Sequence, residues 1–152
     1  MNAYRLEYIL SYNGVLADRP ELIGEVPEGI RINFYSAGGM VSGRVTGKVL
    51  PVGGDWMTIR RDGVGVLDVR TTFQTEDGAL ILVSYAGIAE YGEDAYNRFL
   101  RGRFPTTAKL RTTPRFTTSH PDYLWLNRMQ CVGIGEYDSE SNQARYDVYA
   151  VL

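Results

Sequence analysis

The chain has 152 residues with a net charge of −2, and 44% of them are hydrophobic and 22% charged. These proportions predict a single globular domain over residues 1–152 rather than a disordered chain. Lys48 and Lys109 are the only lysines. Because proteins that neutralise phosphates need clustered positive charge, we expect no binding to nucleic acid.

Cysteine and histidine each occur once, as Cys131 and His120. A single cysteine forms no internal disulfide, which fits a reducing compartment, so a cytoplasmic location is predicted. A transition-metal site would have no second thiol or imidazole, and no nucleotide-binding loop is visible, so we expect no metal and no cofactor. The first ten residues are too charged for a signal peptide, and no run approaches the ~18 apolar residues of a membrane span.

The first third of the chain predicts strands separated by loops. An apolar, aromatic stretch over residues 4–12 indicates a first strand, and residues 13–28, with two prolines and several acids, read as a loop. Residues 31–36 alternate and predict a second strand that ends at Gly38-Gly39. A third strand over residues 40–50 contains internal glycines, which often mark bulges or bends.

The segment from Asp55 to Tyr85 predicts three consecutive antiparallel strands. The dipeptides Asp62-Gly63 and Asp77-Gly78 lie between runs rich in β-branched and aromatic residues. Asp-Gly in that setting is typical of a two-residue hairpin turn, since glycine readily adopts the positive φ that the turn requires.

Beyond residue 86 the sequence predicts one helix and further strands. The helix, residues 93–100, has acidic residues near its start and Gly102 as a stop, and its narrow apolar face places it outside a sheet. Extended structure is predicted over residues 108–118, with an edge, a bulge or a bend at Pro114, and over residues 123–137 as one long strand. A polar turn at residues 138–142 leads into the last strand, residues 145–152.

Eight or nine mostly antiparallel strands with one short helix predict a mainly β protein that forms a closed or nearly closed barrel. Closure removes the exposed strand edges on which chains aggregate. A barrel of about eight strands has room for one small ligand.

Three segments resemble a bacterial and fungal family, the domain of unknown function three-two-three-seven. They are GGDW (53–56), DGVGVLDVRTTFQTEDGALI (62–81) and RTTPRFTTSHPDYLWLN (111–127), and the likeness extends from Gly24 to the closing YDVYAV (146–151). The resemblance implies a lipocalin-like or calycin-like barrel, often oligomeric, with no established reaction. Thr71, Leu110 and Thr117 depart from the family pattern, so a shared substrate does not follow.

Two-residue turns would place one polar cluster on the sheet. Asp55 would then pair with Arg70, and Arg70 with Tyr85, while Asp68 shares the face of Arg70. Arg70 would bind an anionic oxygen through its fork of donors, and Asp68 or Asp55 would transfer a proton. These three residues are the predicted catalytic group, and Tyr85 is a predicted ligand contact.

Two faces compete for the barrel interior. Leu67, Val69 and Phe73 form a face that is apolar enough to be the core, which would send Asp68 and Arg70 to solvent. The charged face also carries several apolar side chains, and we therefore predict that it lines the cavity. The cluster then either binds a ligand or acts as an ion-pair network that only holds the strands in register.

Four further residues are predicted to contact a ligand. Arg111 would meet the same anion, and Phe116, Trp125 and Asn127 would project into the interior. Trp125 has the alternative of being plain core, and Asn127 that of tying down a neighbouring loop.

These features support three functions. The first is a cofactor-independent isomerase, cyclase or lyase that acts on a small, oxygenated, partly apolar compound. The second is a carrier that binds such a compound without turnover. The third is a structural oligomer without a ligand. A homo-oligomer is predicted because Trp56, Leu67, Val69 and Phe73 would form an outward apolar patch.

Overall fold

Strands make up most of the computed structural model, which describes residues 2–152. One short α-helix, α1, spans Ala95–Leu100, and a 3₁₀ helix spans Pro121–Arg128. The strands are β1 (Leu6–Leu16), β2 (Glu21–Val26), β3 (Gly29–Gly43), β4 (Gly47–Val49), β5 (Gly54–Ile59), β6 (Val64–Thr75), β7 (Leu80–Glu90), β8 (Thr107–Thr112), β9 (Arg115–Thr117), β10 (Cys131–Asp138) and β11 (Gln143–Val151).

Eight of these strands form a closed antiparallel ring. Each pairs with its neighbour in the order β6, β5, β3, β1, β11, β10, β8, β7, and β7 pairs with β6 to close the ring. Strand β4 pairs with both β3 and β6. Strand β2 pairs with β3, and β9 pairs with β7. The predicted antiparallel barrel with one short α-helix is confirmed.

The lumen of the ring is filled by the apolar side of each strand. In β6 the alternating residues Leu67, Val69 and Phe73 are buried at 5%, 8% and 1% exposure. The prediction that they form an outward patch is therefore wrong. Burying each large apolar side chain contributes about 1.5–3 kcal/mol, whereas burying Asp68 and Arg70 instead would cost their desolvation.

Both predicted hairpins form, but each has a three-residue loop. In the first, the N–H of Arg60 donates to Val64 O and the N–H of Gly63 donates to Arg60 O, both at 2.9 Å. Gly63 has φ of 84°, as expected for a tight turn that is followed by a left-handed glycine. The second hairpin repeats this geometry, with Gly78 at φ 87°. The two-residue prediction is thus wrong by one residue in each register.

The N-terminal region contains more strand than the sequence predicts. Strand β1 continues to Leu16, and β2 occupies part of the predicted loop at residues 13–28. Strand β3 does not end at Gly38-Gly39 but passes through them. A Cβ at Gly39 would lie 1.8 Å from Asn13 O, so glycine permits the close approach of β1 at this bend.

The predicted long strand over residues 123–137 is half wrong, because its first part is the 3₁₀ helix. His120 caps this helix by accepting the N–H of Asp122, and Pro121 occupies the first turn. A capping residue, a proline and an acid in succession are a helix-start signal that outweighs the alternating pattern after it. Pro114 separates β8 from β9, as predicted.

Helix α1 is two residues shorter at its start than predicted. Its buried residues are Ala95, Tyr96 and Phe99, and the ring of Phe99 meets that of Tyr91 at 5.1 Å. The helix therefore packs outside the strands at the end of β7. Within residues 2–152, no helix has the length and apolar character needed to cross a membrane.

Candidate functional site

A cavity of about 90 Å³ lies inside the ring of strands. That volume is several times the space that a single water molecule requires. Most of its wall is apolar, and its polar groups come from an aspartate, a set of tyrosines, Ser36 and Thr71. The lining residues that matter below are Tyr12, Asp55, Val69, Tyr85, Tyr91 and Tyr146.

Asp55 is the carboxylate of this cavity. It lies on β5, and the N–H of Asp68 donates to its Oδ1 at 2.9 Å. Within residues 2–152 no arginine or lysine forms an ion pair with it. Burial raises the pKa of Asp55 to about 7, and the backbone hydrogen bond and the charge of Arg31 offset only part of that rise.

Three tyrosines form the other polar group of the cavity. The rings of Tyr12 and Tyr146 stack with their centres 4.8 Å apart, and the ring of Tyr85 packs edge-on against Tyr146 with centres 5.6 Å apart. Burial raises the pKa of all three phenols well above 10, so each keeps its proton at neutral pH. The hydroxyl of Tyr12 is buried and forms no hydrogen bond of ordinary length among residues 2–152, although the hydroxyl of Tyr85 is close enough to influence its pKa. A buried donor without a partner is costly, and a polar ligand atom would satisfy it.

The sheet register places Asp55 and Tyr85 on one face. Asp55 pairs with Val69, and Val69 pairs with Tyr85, so the two polar residues lie two strands apart at ~10 Å. An apolar floor at Val69 with a carboxylate on one side and a phenol on the other fits a small molecule that carries an oxygen.

A second cavity of about 280 Å³ adjoins the first. The two share Phe34, Tyr91 and Tyr137 in their walls. The larger cavity, here called the outer chamber, extends to Phe104 in the segment that follows α1 and to Ser139 in the turn before β11. We call the 90 Å³ cavity the inner chamber.

The predicted cluster of Asp55, Asp68, Arg70 and Tyr85 does not form. Asp68 and Arg70 point outward as an ion pair at 3.0 Å, with side chains 52% and 58% exposed. The three-residue loops cause this, because a shift of one residue moves a side chain to the other face. An exposed pair contributes at most ~1 kcal/mol to stability, and it stands outside the cavity wall.

The remaining predicted contacts also lie away from the inner chamber. Arg111 is exposed on the outer face of β8. Phe116 is buried in the core, and the centre of its ring lies 6.3 Å from that of Phe73. Trp125 lies in the 3₁₀ helix with the guanidinium of Arg44 4.2 Å from its ring centre. The predicted interior position is wrong for Arg111. Trp125 does not line the inner chamber, because its segment is helical rather than extended, but it is partly buried and packs against the core, which is the alternative role stated above.

Asn127 has the alternative role that the sequence analysis allowed. Its Oδ1 accepts the N–H of Thr118 and its Nδ2 donates to Thr118 O, both at 2.8 Å. These paired bonds tie the 3₁₀ helix to the end of β9. Asn127 is exposed and therefore does not line the barrel interior.

Two other features lie on the surface. A groove of about 550 Å³ runs along the outside of β1, β11 and β10, and its wall is a mixture of polar and apolar groups that includes Arg111. Asp77, His120 and Asp122 have ligand atoms within 4.8 Å of one another. Hydrogen bonds explain this cluster without an ion, since His120 caps the 3₁₀ helix and Asp77 accepts from Tyr123.

Sequence reasoning missed the tyrosines other than Tyr85. Tyr12 and Tyr146 lie on strands that pair directly in the ring, at matching register positions. The available signal was the abundance of tyrosine, eleven in the chain, at alternating strand positions. That signal does not show which strands become neighbours, because β1 and β11 come from opposite ends of the sequence.

The chain is similar to proteins of several bacteria. A protein named UPF0311 protein from Rhodopseudomonas palustris (strain TIE-1) is 38% identical over 133 residues, which is 85% of each chain. A crystal structure of a conserved protein of unknown function from Rhodopseudomonas palustris superimposes with a TM-score of 0.86 at 31% identity, over 100% of both chains.

A structure from Acinetobacter baumannii AYE that is described as a beta-barrel like protein has a TM-score of 0.83 and 25% identity. The superposition covers 100% of this chain and 98% of the Acinetobacter chain. The family described as Protein of unknown function (DUF3237) matches residues 5–151, which is nearly the whole chain. The closed ring, the shared fold and the match over residues 5–151 together show that the chain belongs to the DUF3237 family.

Proposed function

We propose that the inner chamber binds a small, partly apolar carbonyl compound and that Asp55 transfers a proton on it. The reaction class is a cofactor-independent isomerisation, cyclisation or elimination. The observation that carries the proposal is an aspartate without a cationic partner, facing an apolar cavity that also contains a buried, unpartnered tyrosine hydroxyl.

The electrostatics of Asp55 suit a general base. A carboxylate whose pKa is about 7 is half ionised at neutral pH and is much more basic than an ordinary aspartate. Its hydrogen bond from the N–H of Asp68 fixes one oxygen, which leaves the other free for a substrate proton.

The tyrosines supply the complementary donors. When Asp55 removes a proton from the carbon beside a carbonyl, the electron pair moves to the carbonyl oxygen and forms an enolate. Protonated phenols such as Tyr12 and Tyr85 stabilise that negative charge by hydrogen bonds, because in an apolar cavity such bonds are stronger than in water. Returning the proton to a different atom completes an isomerisation.

A carrier without turnover is the second candidate function. It requires the same cavity and the same tyrosine donors, but it needs no proton transfer by Asp55. Exchange of substrate protons with solvent therefore separates the two functions.

The test uses 2-butanone in deuterated water and follows loss of the protons beside the carbonyl by NMR. We expect the parent protein to accelerate exchange and Asp55→Asn to reduce the protein-dependent rate by ~10²-fold or more. Asp68→Asn is the matched control on the outer face. Because the charge of Asp68 contributes to the raised pKa of Asp55, this variant should keep the accelerated exchange, with its rise shifted to a lower pH.

The rate should also depend on pH in a defined direction. Since the base must be ionised, exchange should rise through about pH 7 and level off above it. Equal rates in Asp55→Asn and the parent would contradict the proposal. Binding of 2-butanone without any accelerated exchange would favour the carrier.

A further inference from the structure

We infer that the outer chamber binds an apolar extension of the same ligand, so that the natural ligand is a carbonyl compound with a chain or ring beyond its reactive end. This inference rests on the proposed function. It adds the size and polarity of the ligand and assigns a second binding subsite to residues outside the inner chamber.

The adjacency of the two chambers is the first support. Phe34, Tyr91 and Tyr137 each line both cavities, so the two volumes are adjacent and share part of their walls. The inner chamber is about 90 Å³ and the outer one about 280 Å³. A compact molecule held at Asp55 would therefore leave the larger of the two adjacent volumes unused.

The chemistry of the outer wall is the second support. Tyr91, Phe99 and Phe104 form an edge-to-face series, with ring centres 5.1 Å and 5.3 Å apart. Phe104 is 47% exposed, so its ring is accessible to a ligand in the chamber. Asp18, Ser139 and Asn142 also line this chamber, but most of its wall is apolar, which favours hydrocarbon over charged or heavily hydroxylated groups.

The position of the carboxylate fixes the direction of the ligand. Asp55 and Tyr85 line only the inner chamber, and Phe99, Phe104 and Ser139 line only the outer one. The oxygen-bearing end therefore lies inward and the apolar end lies outward, past Tyr91.

The experiment measures binding of 2-butanone, 2-hexanone and 2-octanone by calorimetry. Each methylene that enters the outer chamber should tighten binding about 4-fold, which corresponds to ~0.8 kcal/mol per buried methylene. The expected gain from 2-butanone to 2-octanone is thus roughly 250-fold.

Two variants in the same turn make the test specific. Ser139→Trp fills the outer chamber, whereas Glu140→Trp adds the same side chain at an exposed neighbour that does not line the chamber. Ser139→Trp should lose the gain with chain length and keep its affinity for 2-butanone within about 2-fold, and Glu140→Trp should behave like the parent.

The outcomes separate this inference from the proposed function. If the parent binds all three ketones equally, or if Ser139→Trp keeps the gain with chain length, the outer subsite is wrong and the function at Asp55 stands. Loss of 2-butanone binding in Ser139→Trp would also contradict the inference, because that probe needs only the inner chamber. If the parent binds no ketone, the proposed function fails and the inference fails with it.

Discussion

The carboxyl group of Asp55 couples the cavity to the stability of the fold. Its pKa is raised by burial from 3.8 to about 7, whereas in the unfolded chain it returns to ~3.9. The folded protein therefore binds the proton more tightly than the unfolded chain does. The stability that protonation provides is fully present below about pH 4 and is lost as the pH rises to about 7.

Asp55→Asn should remove this pH dependence, because the amide has no charge and its oxygen still accepts the N–H of Asp68. The rise in the pKa of Asp55 from 3.8 to about 7 corresponds to ~4 kcal/mol of unfolding free energy as an upper value. We expect the variant to gain stability relative to the parent between pH 4 and 7, up to that amount at pH 8. Urea unfolding at pH 4, 6 and 8 measures the difference.

Asp68→Asn is the control for that series, since its side chain is exposed and paired only with Arg70. Its unfolding free energy should lie within ~1 kcal/mol of the parent and should keep the fall in stability as the pH rises, shifted to a lower pH because the charge of Asp68 helps to raise the pKa of Asp55. If the curves of Asp55→Asn and the parent run parallel from pH 4 to pH 8, Asp55 does not have the environment described above.

At the scale of the elements, two glycines show how closely the strands approach near Asp55. Gly53 and Gly78 both have positive φ, at 78° and 87°. A Cβ at Gly78 would meet no atom within 4 Å, whereas a Cβ at Gly53 would lie 2.1 Å from Arg70 O. Backbone strain is thus common to both positions, and contact with β6 is specific to Gly53.

Alanine substitutions should separate these two effects. Gly78→Ala should cost about 1–2 kcal/mol of unfolding free energy, from the left-handed backbone alone. Gly53→Ala should cost about 2–5 kcal/mol, because the displacement of β6 adds to the strain. Urea unfolding of the two variants tests this order, and equal costs would mean that β5 and β6 are not so closely packed.

The hairpins show what the sequence predicts about elements and what it does not. Asp-Gly identified both turns, but a two-residue and a three-residue loop differ only in whether Arg61 and Glu76 belong to the turn. Nothing in the chemistry of those two residues marks them as loop residues. Secondary structure was therefore predictable here, and the face of each side chain was not.

Each hairpin register is shifted by one residue from its prediction, and the two shifts compensate, so that β5 and β7 keep their predicted alignment with each other. Asp55 and Tyr85 still face each other across β6, but Val69 stands between them in place of Arg70. The candidate site keeps one predicted carboxylate and the predicted phenol, and it loses the predicted arginine. Tyr12 and Tyr146 enter the site only through closure of the ring, which pairs β1 with β11.

At the scale of the whole molecule, the ring of eight strands creates the cavity. Closure follows from the number of alternating segments, so the barrel was predictable from the sequence. The size of the lumen was not, because it depends on how far the tyrosine rings reach across the ring of strands. The ring centres of Tyr85 on β7 and Tyr146 on β11 are 5.6 Å apart, and the two rings form one side of the inner chamber.

Several statements about the whole molecule remain predictions. They are a single domain, a homo-oligomer, a cytoplasmic location, a specific likeness to lipocalins, and the absence of nucleic-acid and membrane partners. Leu67, Val69 and Phe73, three of the four residues of the expected outward patch, belong to the core, so that patch does not support a homo-oligomer.

The most direct measurement is an NMR titration of the Asp55 carboxyl carbon in the intact protein, with the resonance assigned by its loss in Asp55→Asn. We predict a midpoint at about pH 7, because the carboxyl group faces an apolar cavity without a cationic partner. A midpoint near the ordinary aspartate value of ~3.9 would show that Asp55 is solvated or paired, and it would contradict a general base at this position.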